Sequence, residues 1–289
     1  MSIVSHQGRG VRGTRAHRSA GFTATLMAVL VAVTFTGILR ATGANAAASG
    51  SVNVLYAGSL FDLMQQQLGP AFHKATGYTI IGYPGASTAL ASQIRGGTEI
   101  GDLFISASPA VNATLHGTAN GNWVSSYDEF GTSQLVLGYN PRSKFAELLT
   151  TQPWYNVVDR KGFLLGRTSP AIDPKGVLAV KALTGVAMSH DLPALANLAA
   201  SPSNVFAETS LVGELQAGQL DAGFFYAVEA SAANLKTVPL TSTNLAARFT
   251  IAILKNAPHR AAARAFLKFL LGPSGLKILK ANGITPFVR

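Results

Sequence analysis

A strand that ends in a small-residue turn and then opens a helix occurs twice within about 40 residues, and a third strand follows. In Val52-Asn-Val-Leu-Tyr-Ala-Gly-Ser-Leu60, Val52, Val54 and Tyr56 alternate with Asn53 and Leu55, and β-branched residues lead, which predicts a buried strand. Leu60, Phe61, Met64 and Leu68 then recur at helical spacing, with Ser59 expected at the N-cap and Gly77 at the C-terminal stop. Residues 78–83 predict the second strand, and Pro84-Gly-Ala-Ser-Thr88 repeats the turn, with Ser87 or Thr88 expected to cap a helix over 89–95. Asp102-Leu-Phe-Ile-Ser-Ala107 predicts the third strand. Strand, turn and helix in this order predict a parallel α/β lobe, with serines at the carboxyl ends of its strands, where open α/β sheets bind ligands. A helix N-terminus is also a natural anion site, because its first N–H groups lack partners. Plain capping explains either serine taken singly; the repeat of the setting is what favours a site.

Composition bounds the rest. The chain has 289 residues, 48% hydrophobic and 12% charged, enough for one or two domains with a sizeable core. It has no cysteine, which excludes disulfides, thiolate metal sites, cysteine catalysis and a lipid-anchored cysteine. The formal net charge is +10. Five basic residues (Arg9, Arg12, Arg15, Arg18, Arg40) precede residue 47 without an acidic one, and the other 18 against 13 acidic residues leave +5. No Lys/Arg-rich run with interleaved aromatics follows, so no nucleic-acid partner is expected. The basic start, the uncharged apolar run Gly21 to Leu39 and the small residues Ala44-Asn45-Ala46 predict a secretory signal peptide cleaved near Ala46, and hence a periplasmic or secreted protein. An uncleaved anchor is the alternative, since 19 apolar residues nearly span a bilayer.

Beyond the first lobe, Gln134 to Tyr139 predicts a strand that crosses into a second lobe. Residues 163–170 read as strand then turn, and Asp173-Pro-Lys-Gly176 opens a helix through Ala182, with Asp173 at the N-cap and Pro174 at the first helical position. A helix is expected over Glu208 to Gln216, a strand over Leu220 to Tyr226, a second crossing near Val238 to Asn244, a strand over Arg248 to Leu254, and two final helices over 259–271 and 274–281. The expected organisation is a signal peptide at 1–46, one lobe from 47–134 with 240–289, and the other from 135–239. Two lobes crossed twice by the chain enclose a cleft that closes by hinge motion.

Val54-Leu-Tyr-Ala-Gly-Ser-Leu60, Gly85-Ala-Ser87, Asp102 to Ala107, Gly166-Arg-Thr-Ser-Pro-Ala-Ile-Asp-Pro-Lys-Gly176 and Glu208-Thr-Ser-Leu through Tyr226 resemble, in order, the motif blocks of periplasmic molybdate/tungstate-binding proteins. They are most similar to the archaeal-type branch, and the resemblance covers about 52 to 289. It implies a type II periplasmic binding protein fold, α/β and two-lobed, with the ligand in the interlobe cleft. It implies an ABC transporter permease as partner and molybdate or tungstate as cargo; a monomer with no resident cofactor and no enzymatic activity is expected. In that branch the metal is six-coordinate, with four oxo groups and two protein carboxylates. The positions matching the carboxylates are Asp173 and Glu208, and those matching the serine ligands are Ser59 and Ser87. Tyr226 matches a tyrosine facing the oxyanion in the bacterial molybdate branch, and Lys175 lies in the binding-loop block. The family's Tyr-Arg after Asp-Pro-x-Gly is Val177-Leu178 here, and the 173–208 segment is shorter than in the archaeal members.

Two carboxylates beside a dianion are unfavourable unless they bind the metal itself or one is protonated. Sulfate and phosphate offer no metal centre with spare coordination positions, but a tetrahedral oxyanion held by hydrogen bonds alone stays open as an alternative. A ferric site would want paired tyrosines or a histidine, and only Tyr226 stands at a motif position. A secreted serine hydrolase is the remaining rival; it would need a base for Ser59 or Ser87, and none of His73, His116, His190 and His259 lies in a motif block.

Overall fold

The computed structural model describes residues 50–287, so the signal-peptide reading lies outside the described residues. The first strand, β1 (Gly50–Ala57), is buried on both faces. Val52, Val54 and Tyr56 point into a core with Leu63, Leu68, Phe72 and Phe266. Leu55 points the other way, onto Leu90, Ile94 and Phe104. The alternation read in the sequence therefore feeds two apolar layers, each fully buried large side chain contributing about 1.5–3 kcal/mol.

A 3₁₀ turn (Gly58–Leu60) joins β1 to a broken helix: α1 (Phe61–Leu63), a π turn (Met64–Leu68) and α2 (Gly69–Thr76). Gly77 ends it at φ 82°, the left-handed stop expected there. Next come β2 (Tyr78–Gly85), α3 (Ser87–Gly96), β3 (Leu103–Ser106) and α4 (Pro109–Ala113). β1 pairs in parallel with both β2 and β3.

β4 (Asp128–Tyr139) is longer than the strand expected from Gln134, and it serves two sheets. After β4 come α5 (Ala146–Thr151), α6 (Trp154–Val158), β5 (Leu165–Gly166), α7 (Pro174–His190), α8 (Pro193–Ala200) and α9 (Leu211–Gln216). Then follow β6 (Ala222–Tyr226), α10 (Ala227–Ala232), β7 (Lys236–Pro239), β8 (Ala246–Ile253), α11 (Arg260–Leu271), α12 (Pro273–Ala281) and β9 (Thr285–Pro286). The first half of β4 runs antiparallel to β8, which in turn runs antiparallel to β3. From Leu135 its partners become β6 and β7, and β6 carries β5 in parallel. The order β2-β1-β3-β8-β4, continued through β4 to β6 and β5, is a two-lobed periplasmic binding fold whose lobes share one continuous strand. Among the described residues no helix is long and apolar enough to cross a membrane.

Three local expectations need correction. Ser59 is not an N-cap: it is the middle residue of the 3₁₀ turn. Neither Ser87 nor Thr88 caps α3, which begins at Ser87 with Ala86 as its flanking residue. Glu208 does not start a helix; α9 begins at Leu211 behind Ser210, and Glu208 lies in the turn before it. For Ser87 and Glu208, tertiary contacts to Ala107 N and the Lys175 ammonium took the polar side chain away from local capping. Asp173 does cap as expected: its carboxylate accepts from the Lys175 N–H, with Pro174 at the first position of α7.

Candidate functional site

Of the six singled-out residues, Asp173, Glu208 and Tyr226 gather around Lys175, Ser59 is next to Gly58, which Glu208 reaches, and Ser87 opens the helix that contacts Ile172. The hydroxyl of Ser87 is buried and accepts a hydrogen bond from Ala107 N at 3.2 Å, which ties the end of β3 to the start of α3. The N–H groups of Thr88 and Ala89 donate to Ile172 O at 3.1 and 3.3 Å. A carbonyl of the opposite lobe thus takes up free donors at this helix start. Asp173 follows directly, with Oδ1 accepting from Lys175 N at 3.0 Å.

Lys175 Nζ donates to both oxygens of Glu229 at 2.8 Å and to Glu208 Oε1 at 3.4 Å. It also lies over the ring of Tyr226, 6.0 Å from its centroid. The Glu208 carboxylate reaches Gly58, beside Ser59, and fills the space that a Cβ on Gly58 would take. A cleft of about 500 Å³ opens next to this contact, lined by Gly58, Ser59, Phe61, Pro84, Glu208 and Glu229 among others. Ser87, Asp173 and Tyr226 do not line it, and they are 1%, 3% and 0% exposed.

Glu229 and Gly58 are the site residues that sequence reasoning missed. The signal for Glu229 was present: it stands three residues after Tyr226 and its carboxylate reaches back to Tyr226 N at 3.4 Å, as an acid at the third helical position does. Gly58 carried no separable signal, because its role is the room it leaves for a residue 150 positions away.

Three carboxylates and one ammonium are buried together, so the charges do not balance. Burial pushes the Asp173 and Glu229 carboxyls above their ordinary pKa, with Lys175 opposing. Burial likewise pushes Glu208 up to about 8; Lys175 opposes the rise and Glu229 adds to it. Burial alone would lower Lys175, but Glu229, Glu208 and Asp173 hold it above lysine's ordinary value. Glu208 lies farther from the Lys175 ammonium than Glu229 does, so of these two carboxyls it is the less compensated. Arg167 is buried too, donating to the carbonyls of Thr168, Ala199 and Ser201, and so fixes the loop leading to Asp173.

Asp173 Oδ2, Glu208 Oε2 and the Tyr226 hydroxyl are buried without a hydrogen bond, as is the hydroxyl of Thr168, which acts on the Asp173 carboxyl. An unsatisfied buried polar group is costly, about 1–3 kcal/mol and more for a charged one, so several in neighbouring residues make this cluster a candidate ligand site. Among the described residues the histidines are engaged elsewhere: His259 Nδ1 pairs with Asp102 at 2.9 Å, His116 bonds Ser125 O, His73 bonds Tyr78 O, and His190 stacks on Tyr155.

Residues 52–285 match the family of bacterial extracellular solute-binding proteins. The chain belongs to that family. Among this solute-binding protein's relatives, an uncharacterised solute-binding protein of Halobacterium salinarum is 31% identical over 62% of this chain and 58% of the relative. The molybdate/tungstate-binding protein WtpA of Pyrococcus abyssi is 26% identical over 56% of this chain and 62% of its own length. The matches thus span about three fifths of these relatives. In fold, the solute-binding protein resembles the periplasmic molybdate-binding protein of Azotobacter vinelandii, with TM-score 0.65 and 20% identity over 82% of this chain and all of that one. It also resembles the sulfate-binding protein SubI of Mycobacterium tuberculosis H37Rv, with TM-score 0.59 and 18% identity over 82% of this chain and 87% of that one. The fold is therefore shared by binders of different oxyanions and does not choose between them.

Proposed function

We propose that this solute-binding protein captures molybdate or tungstate outside the cytoplasm and delivers it to the permease of an ABC importer. In this reading the chain is made with a signal peptide cleaved near Ala46, acts as a monomer, and is a carrier with no enzymatic activity. Asp173 and Glu208 bind the metal, while Ser59, Ser87 and Tyr226 face the oxo groups.

The observation that carries the reading is the pair of buried, partnerless oxygens Asp173 Oδ2 and Glu208 Oε2. Carboxylate oxygens with no donor call for an electrophile, and the centre of molybdate or tungstate has spare coordination positions. Sulfate and phosphate have none, and their oxygens would meet these carboxyls, when ionised, as like charges. The relatives named for molybdate and tungstate support the same choice.

A tetrahedral oxyanion held by hydrogen bonds alone is the second reading. The raised pKa of Glu208 favours it, because a protonated carboxyl donates a hydrogen bond. Parallel calorimetric titrations with molybdate, tungstate and sulfate separate the two. Heats with molybdate and tungstate and none with sulfate are expected; tighter binding of sulfate overturns the metal-ligation reading. N-terminal sequencing of protein recovered from its native host tests cleavage, and an intact N-terminus overturns it.

A further inference from the structure

One residue touches both carboxylates of the site. The main-chain N–H of Lys175 holds Asp173 Oδ1 at 3.0 Å, and its ammonium holds Glu208 Oε1 at 3.4 Å. In each carboxylate the other oxygen, Asp173 Oδ2 or Glu208 Oε2, is the one left without a partner. The remaining reach of the ammonium goes to Glu229, at 2.8 Å to each oxygen. An ammonium has three donors, and these contacts engage it wholly with carboxylates. Lys175 is 1% exposed, and its ammonium lies 5.6 and 6.0 Å from the Phe225 and Tyr226 ring centroids. Glu229 is itself tied to the first turn of α10 through Tyr226 N.

We propose that Lys175 and Glu229 form a positioning pair: Glu229 anchors the ammonium, and Lys175 holds one oxygen of Glu208 so that Oε2 points at the ligand. Lys175 then binds no ligand atom, although its block in the sequence suggested that it would. The pair acts on a metal-bound oxyanion in the way that groups behind a metal ligand fix its orientation, where substitution commonly costs about 10–100-fold in affinity. The inference rests on the proposed ligation of molybdate by Glu208.

The test is a double-mutant cycle read by molybdate calorimetry on the intact mature protein. One arm is the charge-neutral double variant Lys175→Met/Glu229→Gln, the other Glu208→Gln, and the third combines them. Removing a buried ion pair as a whole preserves net charge and is often neutral for stability, so the double variant is expected to fold, which its melting curve verifies. The main-chain contact to Asp173 survives in every variant. Molybdate affinity is expected to fall about tenfold or more in the double variant. No further loss is expected when the pair is removed from Glu208→Gln, because the pair then has nothing to aim. Glu229→Gln alone, which keeps the ammonium, should fall several-fold. X-ray absorption at the molybdenum edge should show the carboxylate oxygen shell of the parent reduced in the double variant. Parent-like affinity in both Glu229→Gln and the double variant overturns the inference, as do losses that add fully with Glu208→Gln. A parent protein that binds neither molybdate nor tungstate overturns the proposed function first, and the inference with it.

Discussion

Gly58 lends Glu208 the space its own side chain would have taken: a Cβ on Gly58 would overlap Oε2 of Glu208. Gly58 belongs to the turn after β1, and Glu208 to the turn before α9. The glycine is there for room and not for backbone freedom, since its φ lies outside the left-handed range.

Gly58→Ala should therefore leave the fold nearly intact and spoil the site. The methyl displaces the carboxylate, and about tenfold or greater loss of molybdate affinity is expected, of the size seen when groups supporting a metal ligand are disturbed. Calorimetry with a parallel melting curve checks it; unchanged affinity shows that Glu208 works from another position.

Glu208→Gln gives the two site readings opposite signs. If Glu208 ligates the metal, exchanging a charged ligand for a poor neutral one lowers affinity. If the oxyanion is held only by hydrogen bonds, removing a negative charge leaves affinity unchanged or raises it. At an effective dielectric of about 20, two unit charges ~5 Å apart cost on the order of 3 kcal/mol, so the sign is measurable. A fall in affinity is expected.

The two serines should part company. Ser87→Ala strips Ala107 N of its acceptor in a buried setting, so stability should drop by about 1–3 kcal/mol along with affinity. Ser59 lines the cleft, and Ser59→Ala should weaken binding by ~1–2 kcal/mol with a smaller change in melting temperature. Equal effects on melting would contradict this division.

Stability and binding should respond to pH in opposite directions. Glu208 rises from 4.5 to about 8 on folding, so between those values the folded state holds a proton that the unfolded chain has released. Stability of the ligand-free protein is then largest below the unfolded value and falls as pH climbs through about 8, by at most ~1.4 kcal/mol per pH unit for one proton. Metal ligation needs the ionised carboxylate, so binding should release a proton near neutrality, and affinity should rise with pH up to about 8. Calorimetry in buffers of different ionisation enthalpy reads the proton count; proton uptake on binding would exclude ligation by Glu208.

The sequence by itself determined what depends on near neighbours. Val52, Val54 and Tyr56 on one face and Leu55 on the other fixed β1 through a two-residue period. Asp173 before Pro174, and glycines at 77 and 97, fixed helix ends through backbone geometry within one turn. The order of the motif blocks then brought Ser59, Ser87, Asp173, Lys175, Glu208 and Tyr226 forward as candidates. Only the tertiary structure decided how they are used. Ser59 and Ser87 look like caps locally, yet the first sits within a turn and the second bonds the end of β3. Lys175 looks like a cation for an anion until Glu229, 54 residues on, occupies it. Glu208 looks like the start of a helix until Gly58 makes room for its carboxylate. Local pattern sets φ, ψ and capping over a few residues, but the partner of a buried charge is chosen by which distant segments packing brings within about 3 Å.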